Sequence, residues 1–233
     1  PRSTQGVTLF PYTTLFRYLP SFEGGLSISA EKCSELAGRF RTILAGPGWG
    51  RGANRATSLT NLLECWNGVM VLDADALNMI ADTDLLAKSQ ARIIITPHLA
   101  EMARLCQTTV ADVAENQIEI ARKFAGKHRV TVVLKSAITV IADHRGVTYI
   151  CSRPNSGLAR GGSGDLLSGI IAGLAATGIP ELHAAIAGVF LLAEAADLAR
   201  AELGADAMSI SEVASFIPKA FRSLRGDNVS ESR

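Results

Sequence analysis

The residues best suited to chemistry lie in one stretch, Pro154 to Gly178, PNSGLARGGSGDLLSGIIAGLAATG. A glycine-dense loop (Gly157, Gly161, Gly162, Gly164) runs into a helical pattern with Leu166, Leu167, Ile170, Ile171 and Leu174 on one apolar face. Such a loop can turn successive backbone N–H groups toward one point, and a helix start adds the positive end of its dipole. Together they make an anion hole suited to phosphate. One carboxylate, Asp165, stands at its mouth. A negative group beside a phosphate is electrostatically unfavourable unless it acts as a base or holds a metal. The competing reading is an N-cap with an acidic first turn. The four small residues Gly161, Gly162, Ser163 and Gly164 before the aspartate weigh against it.

Short apolar runs must position this loop. Arg41–Ala45, Val69–Leu72, Arg92–Thr96, Val130–Lys135, Ile138–Ala142 and Val147–Cys151 read as strands. Helical patterns separate the first four, near Asn54–Trp66, in parts of Leu77–Lys88, and near Leu99–Cys106 and Val113–Lys127. Ala30–Arg39 reads as a short surface helix, and three more helices close the chain near Asp165–Thr177, Glu181–Glu202 and Ser211–Leu224. Strand and helix in alternation predict an α/β fold: one three-layer α/β/α domain with a mostly parallel sheet. The turn at Asp143–Gly146 adds antiparallel strands at one edge. Ligands of such sheets bind beyond the C-terminal strand ends. The unusual residues fall there in succession: Gly46–Gly50, then Asp73 and Asp75, then Thr96-Pro97-His98 with Glu101, then Lys135. Stability alone does not call for polar or glycine-rich chemistry at the same end of every strand.

The composition, 48% hydrophobic and 19% charged over 233 residues, excludes a disordered chain. A net charge of +1 gives no field that favours nucleic acid or anionic lipid. Cys33, Cys65, Cys106 and Cys151 are widely spaced, so free thiols in a reducing cytoplasm are expected, not disulfides or a zinc site. The charge-free run Leu166–Pro180 is too short to span a bilayer. At the start, TLFPYTTLFR resembles a translated sequencing adapter, so residues 1–17 are read as a non-native tail and residues 18–233 as the domain.

Several nucleotide chemistries compete. Gly48 to Ala53 fits G-x-G-x-x-A between a strand and a helix, with Asp73 and Asp75 following. That is the fingerprint of a dinucleotide-binding oxidoreductase. Pro47 and Trp49 crowd its tight turn, and it leaves the GGSGD loop without a role. A P-loop is excluded, because neither glycine-rich stretch ends in Lys-Ser or Lys-Thr. Ser163 does not sit in a G-x-S-x-G elbow, since Asp165 takes the place of the last glycine.

Taken in order, GPGWG, VLDADALN, ITPHLAEMARL, VVLKSAITVIAD and NSGLARGGSGDLLSGIIAGL resemble the ADP- or ATP-dependent NAD(P)H-hydrate dehydratases, ribokinase-like members of the carbohydrate-kinase superfamily. The resemblance implies that Asp165 is the catalytic base, next to the hydroxylated nicotinamide ring. It implies that Gly48 and His98 line the hydrate pocket. Lys135, Ser136, Ala137, Ile138 and Thr139, with Gly161, Gly162, Ser163 and Gly164, would hold the adenine nucleotide. ADP or ATP would be the co-substrate, with Mg²⁺ but no residue assigned as its ligand. NAD(P)H hydrate would be repaired to NAD(P)H, with a functional link to an NAD(P)H-hydrate epimerase and a homo-oligomeric assembly. A hydroxyethylthiazole- or hydroxymethylpyrimidine-type kinase is the alternative within the superfamily, and a non-catalytic nucleotide-binding module the alternative outside catalysis.

Two departures from the family stand out. Ser136 replaces the usual glycine of the KGA motif, which narrows the nucleotide's approach unless φ there is negative. The family's opening strand and glycine-rich turn have no counterpart before Tyr18, so low stability or activity is expected of this chain alone. Outside the motifs, His98 can equally be a packed histidine, and Lys135 a charged strand end. His128, His144 and His183 are read as surface or packing, and Glu194 and Asp197 as the wet side of a core helix. Asp73 and Asp75 stay open between magnesium or water ligation and helix capping.

Overall fold

Four-residue apolar runs bounded by turns build a six-stranded sheet. The computed structural model describes residues 21–22, 25–26, 28–50 and 52–225; the tail 1–17 and Arg51 of the G-x-G-x-x-A match lie outside them. A two-residue hairpin, β1 (Ser21–Phe22) and β2 (Gly25–Leu26), leads to α1 (Ala30–Arg39), β3 (Thr42–Ala45), α2 (Ala53–Cys65) and β4 (Val69–Leu72). Then come α3 (Asp75–Ile80), α4 (Leu85–Lys88), β5 (Arg92–Ile95), α5 (Leu99–Cys106), α6 (Val110–Glu115) and α7 (Gln117–His128). Strands β6 (Thr131–Leu134), β7 (Thr139–Ala142) and β8 (Thr148–Cys151) follow, then a 3₁₀ turn at Ser156–Leu158 and helices α8 (Ser163–Ala176), α9 (Glu181–Leu203) and α10 (Ile210–Arg225).

The sheet runs β3-β4-β5-β6-β7-β8, parallel from β3 to β6 and antiparallel from β6 to β8. Parallel neighbours taken in chain order, each joined by a right-handed crossover, place all their helices on one face. The other face is left for α8, α9 and α10. Side-chain alternation along the strands matches this division. Met70, Leu72, Ile93, Ile95, Val132 and Leu134 pack with α1 to α7, whereas Val69, Val71, Ile94, Val133 and Ile141 pack with α8 to α10. Each fully buried Leu or Ile contributes about 1.5–3 kcal/mol of transfer free energy, so both layers hold the sheet firmly.

Helix α9 is long and apolar enough to cross a membrane by length and composition. Its apolar residues, from Leu182 and Ala184 through Leu191 to Ala199, are instead buried in the second core layer. Gly188 lets it approach α8 closely: a Cβ there would lie 2.5 Å from Ile171 Cγ1.

Leu77–Lys88 is helical in parts, as its pattern predicts, and the longer helix expected from Val113 is divided. Between α3 and α4 the chain turns through Asp82 at φ 61°, with the Thr83 hydroxyl donating to Ile80 O at 2.8 Å. The helix expected from Val113 starts at Val110, because Thr109 and Asp112 form a reciprocal capping box, and it breaks at Asn116 before α7.

Candidate active site

The head of α8 rests on a buried ion pair. Asp73 follows β4, and its side chain is 2% exposed. Its Oδ1 accepts from Lys135 Nζ at 2.9 Å and from the backbone N–H of Ala74 at 2.9 Å. Lys135 follows β6, bridged to His98, and donates its N–H to Pro97 O at 2.8 Å. Gly164 lies directly against the pair: a Cβ there would stand 3.0 Å from Lys135 Nζ and 3.7 Å from Asp73 Oδ2. Asp165 is the next residue, exposed, in the first turn of α8. Gly162 caps that helix in the left-handed region (φ 90°), which a side chain would resist. The loop is tied down by Arg160, whose guanidinium donates to Ala205 O at 3.1 Å and Asp206 O at 2.9 Å.

Asp75 has a different task. Its Oδ2 accepts the backbone N–H of Gly50 at 2.7 Å. A carboxylate of the chain itself therefore takes an amide that a pyrophosphate would need in the dinucleotide fingerprint. Among the described residues β3 is also at the sheet edge, with no reversal of strand order to open a crevice beside that turn. The oxidoreductase reading loses its physical basis on both counts. Between the two aspartates, Ala74 sits at φ 50°, ψ −118°, a conformation that costs a non-glycine residue about 1–3 kcal/mol.

His98 is the N-cap of α5. Its Nδ1 accepts from the amides of Ala100 at 3.1 Å and Glu101 at 3.2 Å. An accepting Nδ1 carries no proton, so the neutral ring is protonated on Nε2, which lies 3.4 Å from Glu101 Oε1. Glu101, 8% exposed, returns the cap by accepting His98 N–H at 2.8 Å. The ring itself is 51% exposed and faces a cavity. Cap and cavity wall are thus the same residue.

That cavity, of about 680 Å³, gathers His98, Lys135, Ser136, Ala137, Thr139, Ser163 and Gly164. Leu158, Leu167, Val189 and Leu192 give it an apolar wall. Gly48, Ile138, Gly161, Gly162 and Asp165 are not among its lining residues. A second cavity, of about 550 Å³ between α3, α5 and α7, contains none of the expected site residues. Ser136 does not have a positive φ, so it meets the condition under which a side chain is tolerated at that position. Its Oγ accepts from Ile138 N–H at 3.3 Å, and its single proton serves Ile138 O at 2.5 Å or Gln117 Oε1 at 2.8 Å.

Sequence reasoning missed Arg153 and Asn155. Arg153 Nη2 donates to Glu194 at 2.8 Å and Asp197 at 2.6 Å, and Asn155 Nδ2 donates to Asp197 Oδ1 at 2.9 Å. Glu194 and Asp197 are therefore only partly solvated, and they clamp the cavity wall onto α9. The Ser223 hydroxyl, and next the Arg153 guanidinium, hold the Glu194 carboxyl below its ordinary range. The sequence signal was Glu194 and Asp197, three apart within the long apolar stretch of that helix. His128 is packed, its ring centroid 4.3 Å from that of Phe124, and His144 and His183 are exposed.

Residues 12–219 match the family model described as NAD(P)H-hydrate dehydratase. The chain belongs to the NAD(P)H-hydrate dehydratase family. It is 37% identical over 229 residues to the bifunctional NAD(P)H-hydrate repair enzyme Nnr of Moorella thermoacetica, covering 96% of this chain and 43% of that protein. It is 41% identical over 165 residues to the ADP-dependent (S)-NAD(P)H-hydrate dehydratase of Neisseria meningitidis serogroup B, covering 69% of this chain and 56% of that one. The chain thus spans about half the length of these relatives. Its fold matches the Bacillus subtilis ADP/ATP-dependent NAD(P)H-hydrate dehydratase, crystallised with ATP and Mg²⁺ and soaked with CoA. That match has a TM-score of 0.73 at 27% identity over 83% of this chain and 72% of the other. The mixed sheet with helices on both faces is the ribokinase-like α/β fold of the dehydratase family.

Proposed function

We propose that this chain dehydrates NAD(P)H hydrate to NAD(P)H at the expense of ADP or ATP. The observation that carries the reading is the seating of Gly164 on the Lys135–Asp73 pair at the head of α8, with Asp165 next in line. First-turn amides of a helix lack acceptors within it; Ser163 N–H donates back to Arg160 O at 3.3 Å, which leaves the Gly164 and Asp165 amides for phosphate oxygens. A cation beside them and a carboxylate beyond them are the groups a phosphoryl transfer needs.

In the reaction, Asp165 takes the proton of the C6 hydroxyl on the hydrated ring. The oxygen attacks the terminal phosphorus, and the bond from phosphorus to the nucleotide breaks. The C6–O bond then breaks with phosphate as leaving group, and loss of a proton from the neighbouring ring carbon restores the double bond. Hydroxide leaves poorly and phosphate well, which is why a nucleotide is consumed. Gly48 and His98 are assigned to the hydrate, His98 as an Nε2–H donor. Lys135, Ser136, Ala137, Ile138 and Thr139, with Gly161 to Gly164, are assigned to the nucleotide.

Mg²⁺ fits this donor set. Among the described residues no group of three or more His, Cys, Asp or Glu side chains is placed to hold a metal. Magnesium bound with a nucleotide needs only one or two carboxylates beside phosphates and water. With Asp165 kept as the base, the ion would be held mainly by the nucleotide's phosphates and water, and it would neutralise phosphate charge.

The bifunctional character of the Moorella relative supports a link to a second repair activity, for which we expect an NAD(P)H-hydrate epimerase. Free thiols support a cytoplasmic site of action. Tyr149 and Ile150, exposed on edge strand β8, with Val147 just before it, support a homo-oligomer. The deciding assay mixes the protein with NADH hydrate and ADP or ATP and follows the absorbance of the reduced ring. Recovery of NADH with release of phosphate is expected. A stable phosphorylated product would point to a kinase instead, and nucleotide binding without turnover to a non-catalytic module.

A further inference from the structure

We propose that Asp73 is a positioning residue, which holds the Lys135 ammonium under the first turn of α8 so that it reads the nucleotide's phosphates and not its base. The inference rests on the nucleotide-dependent reading above and assigns a role to a carboxylate that reading leaves without one.

A carboxylate only 2% exposed is costly unless a cation meets it. Lys135 Nζ, at 2.9 Å, is that cation. A free lysine side chain samples many rotamers, and ordering it costs entropy. The ion pair removes most of that freedom before any nucleotide arrives, so little ordering is left for binding to impose. The carboxylate is itself fixed. Its Oδ1 also takes the Ala74 N–H, and its backbone oxygen is pressed against Gly46, where a Cβ would lie 1.8 Å away. The lysine backbone is fixed through Pro97 O.

The position held in this way is informative. Nζ lies 3.0 Å from the point a Gly164 Cβ would occupy, beside the amides that open α8. An ammonium has three protons, and Asp73 accepts one of them here. With its side chain 20% exposed, Lys135 keeps donors for an incoming anion. A neutral base is better served by the apolar wall of Leu158, Leu167, Val189 and Leu192.

The test is a double-mutant cycle on the full chain, with Asp73→Asn, Lys135→Met and the pair together, reading calorimetric affinity for ADP and for adenosine. Each single change is expected to weaken ADP about tenfold or more, with the double no weaker than Lys135→Met alone, as expected of coupled neighbours. Adenosine affinity is expected to stay unchanged in all three. Additive losses, or equal losses for ADP and adenosine, overturn the inference. If Asp73→Asn does not fold, the double variant, which removes both charges, is compared with Lys135→Met; markedly weaker ADP binding by the double overturns the inference as well. A wild-type protein that binds adenosine but not ADP, or neither, overturns the nucleotide reading itself and this inference with it.

Discussion

Gly46 and Asp73 approach so closely that a Cβ on Gly46 would lie 1.8 Å from the Asp73 carbonyl oxygen. The turn after β3 is therefore locked onto the turn after β4, and the latter carries the carboxylate that holds Lys135. Two glycines of the site consequently have different reasons to be glycine.

Gly46→Ala meets backbone that cannot retreat, at φ 121°. Overpacking and strain together should destabilise the fold by about 3–5 kcal/mol, read by urea denaturation. Gly164→Ala crowds the flexible end of a lysine and reaches Asp73 Oδ2 only at an ordinary contact distance, so stability should change by about 1 kcal/mol or less while ADP affinity falls. Equal loss of stability in the two variants would contradict this assignment.

Asp165→Asn should lower turnover of NADH hydrate by about 10²–10⁴-fold, the range for loss of a general base. Asp165 is exposed in a helix first turn, so the stability cost should not exceed about 1 kcal/mol, the value of one charge at the dipole. Activity retained within a few-fold would remove Asp165 from the mechanism.

His98 combines two functions that substitution can separate. His98→Ala should cost about 1 kcal/mol through the lost cap and also weaken the hydrate. His98→Asn restores a capping oxygen, so thermal stability should return while KM for the hydrate stays raised. Recovery of both together would mean that the ring only caps α5.

Acid should loosen the clamp on the cavity wall. The Ser223 and Arg153 bonds lower the folded-state pKa of Glu194 below its ordinary 4.5. A carboxylate with a lowered folded pKa contributes stability that is fully present above its unfolded pKa and lost as pH falls through the folded one. Melting temperature should hold down to about the ordinary carboxylate pKa and then decline. Glu194→Gln should flatten that decline, and an unchanged acid limb in this variant would show that the clamp is not what titrates.

Much was already decided by local sequence. Strand positions were legible because buried parallel strands are short unbroken apolar runs, and VMVL at 69–72, between Gly68 and Asp73, is too short for a helix. The glycine-rich loop, its helix and Asp165 were legible because their chemistry is consecutive in the chain. What tertiary structure alone decided is every relationship across the sheet: Asp73 with Lys135, Asp75 with Gly50, and Arg153 with Glu194 and Asp197. Each joins residues 25 to 62 positions apart. An aspartate after a strand looks the same in one dimension whether it binds a metal, caps a helix or pairs with a lysine. Only strand order and crossover hand determine which neighbour reaches it, and those follow from burying both faces of the sheet at once.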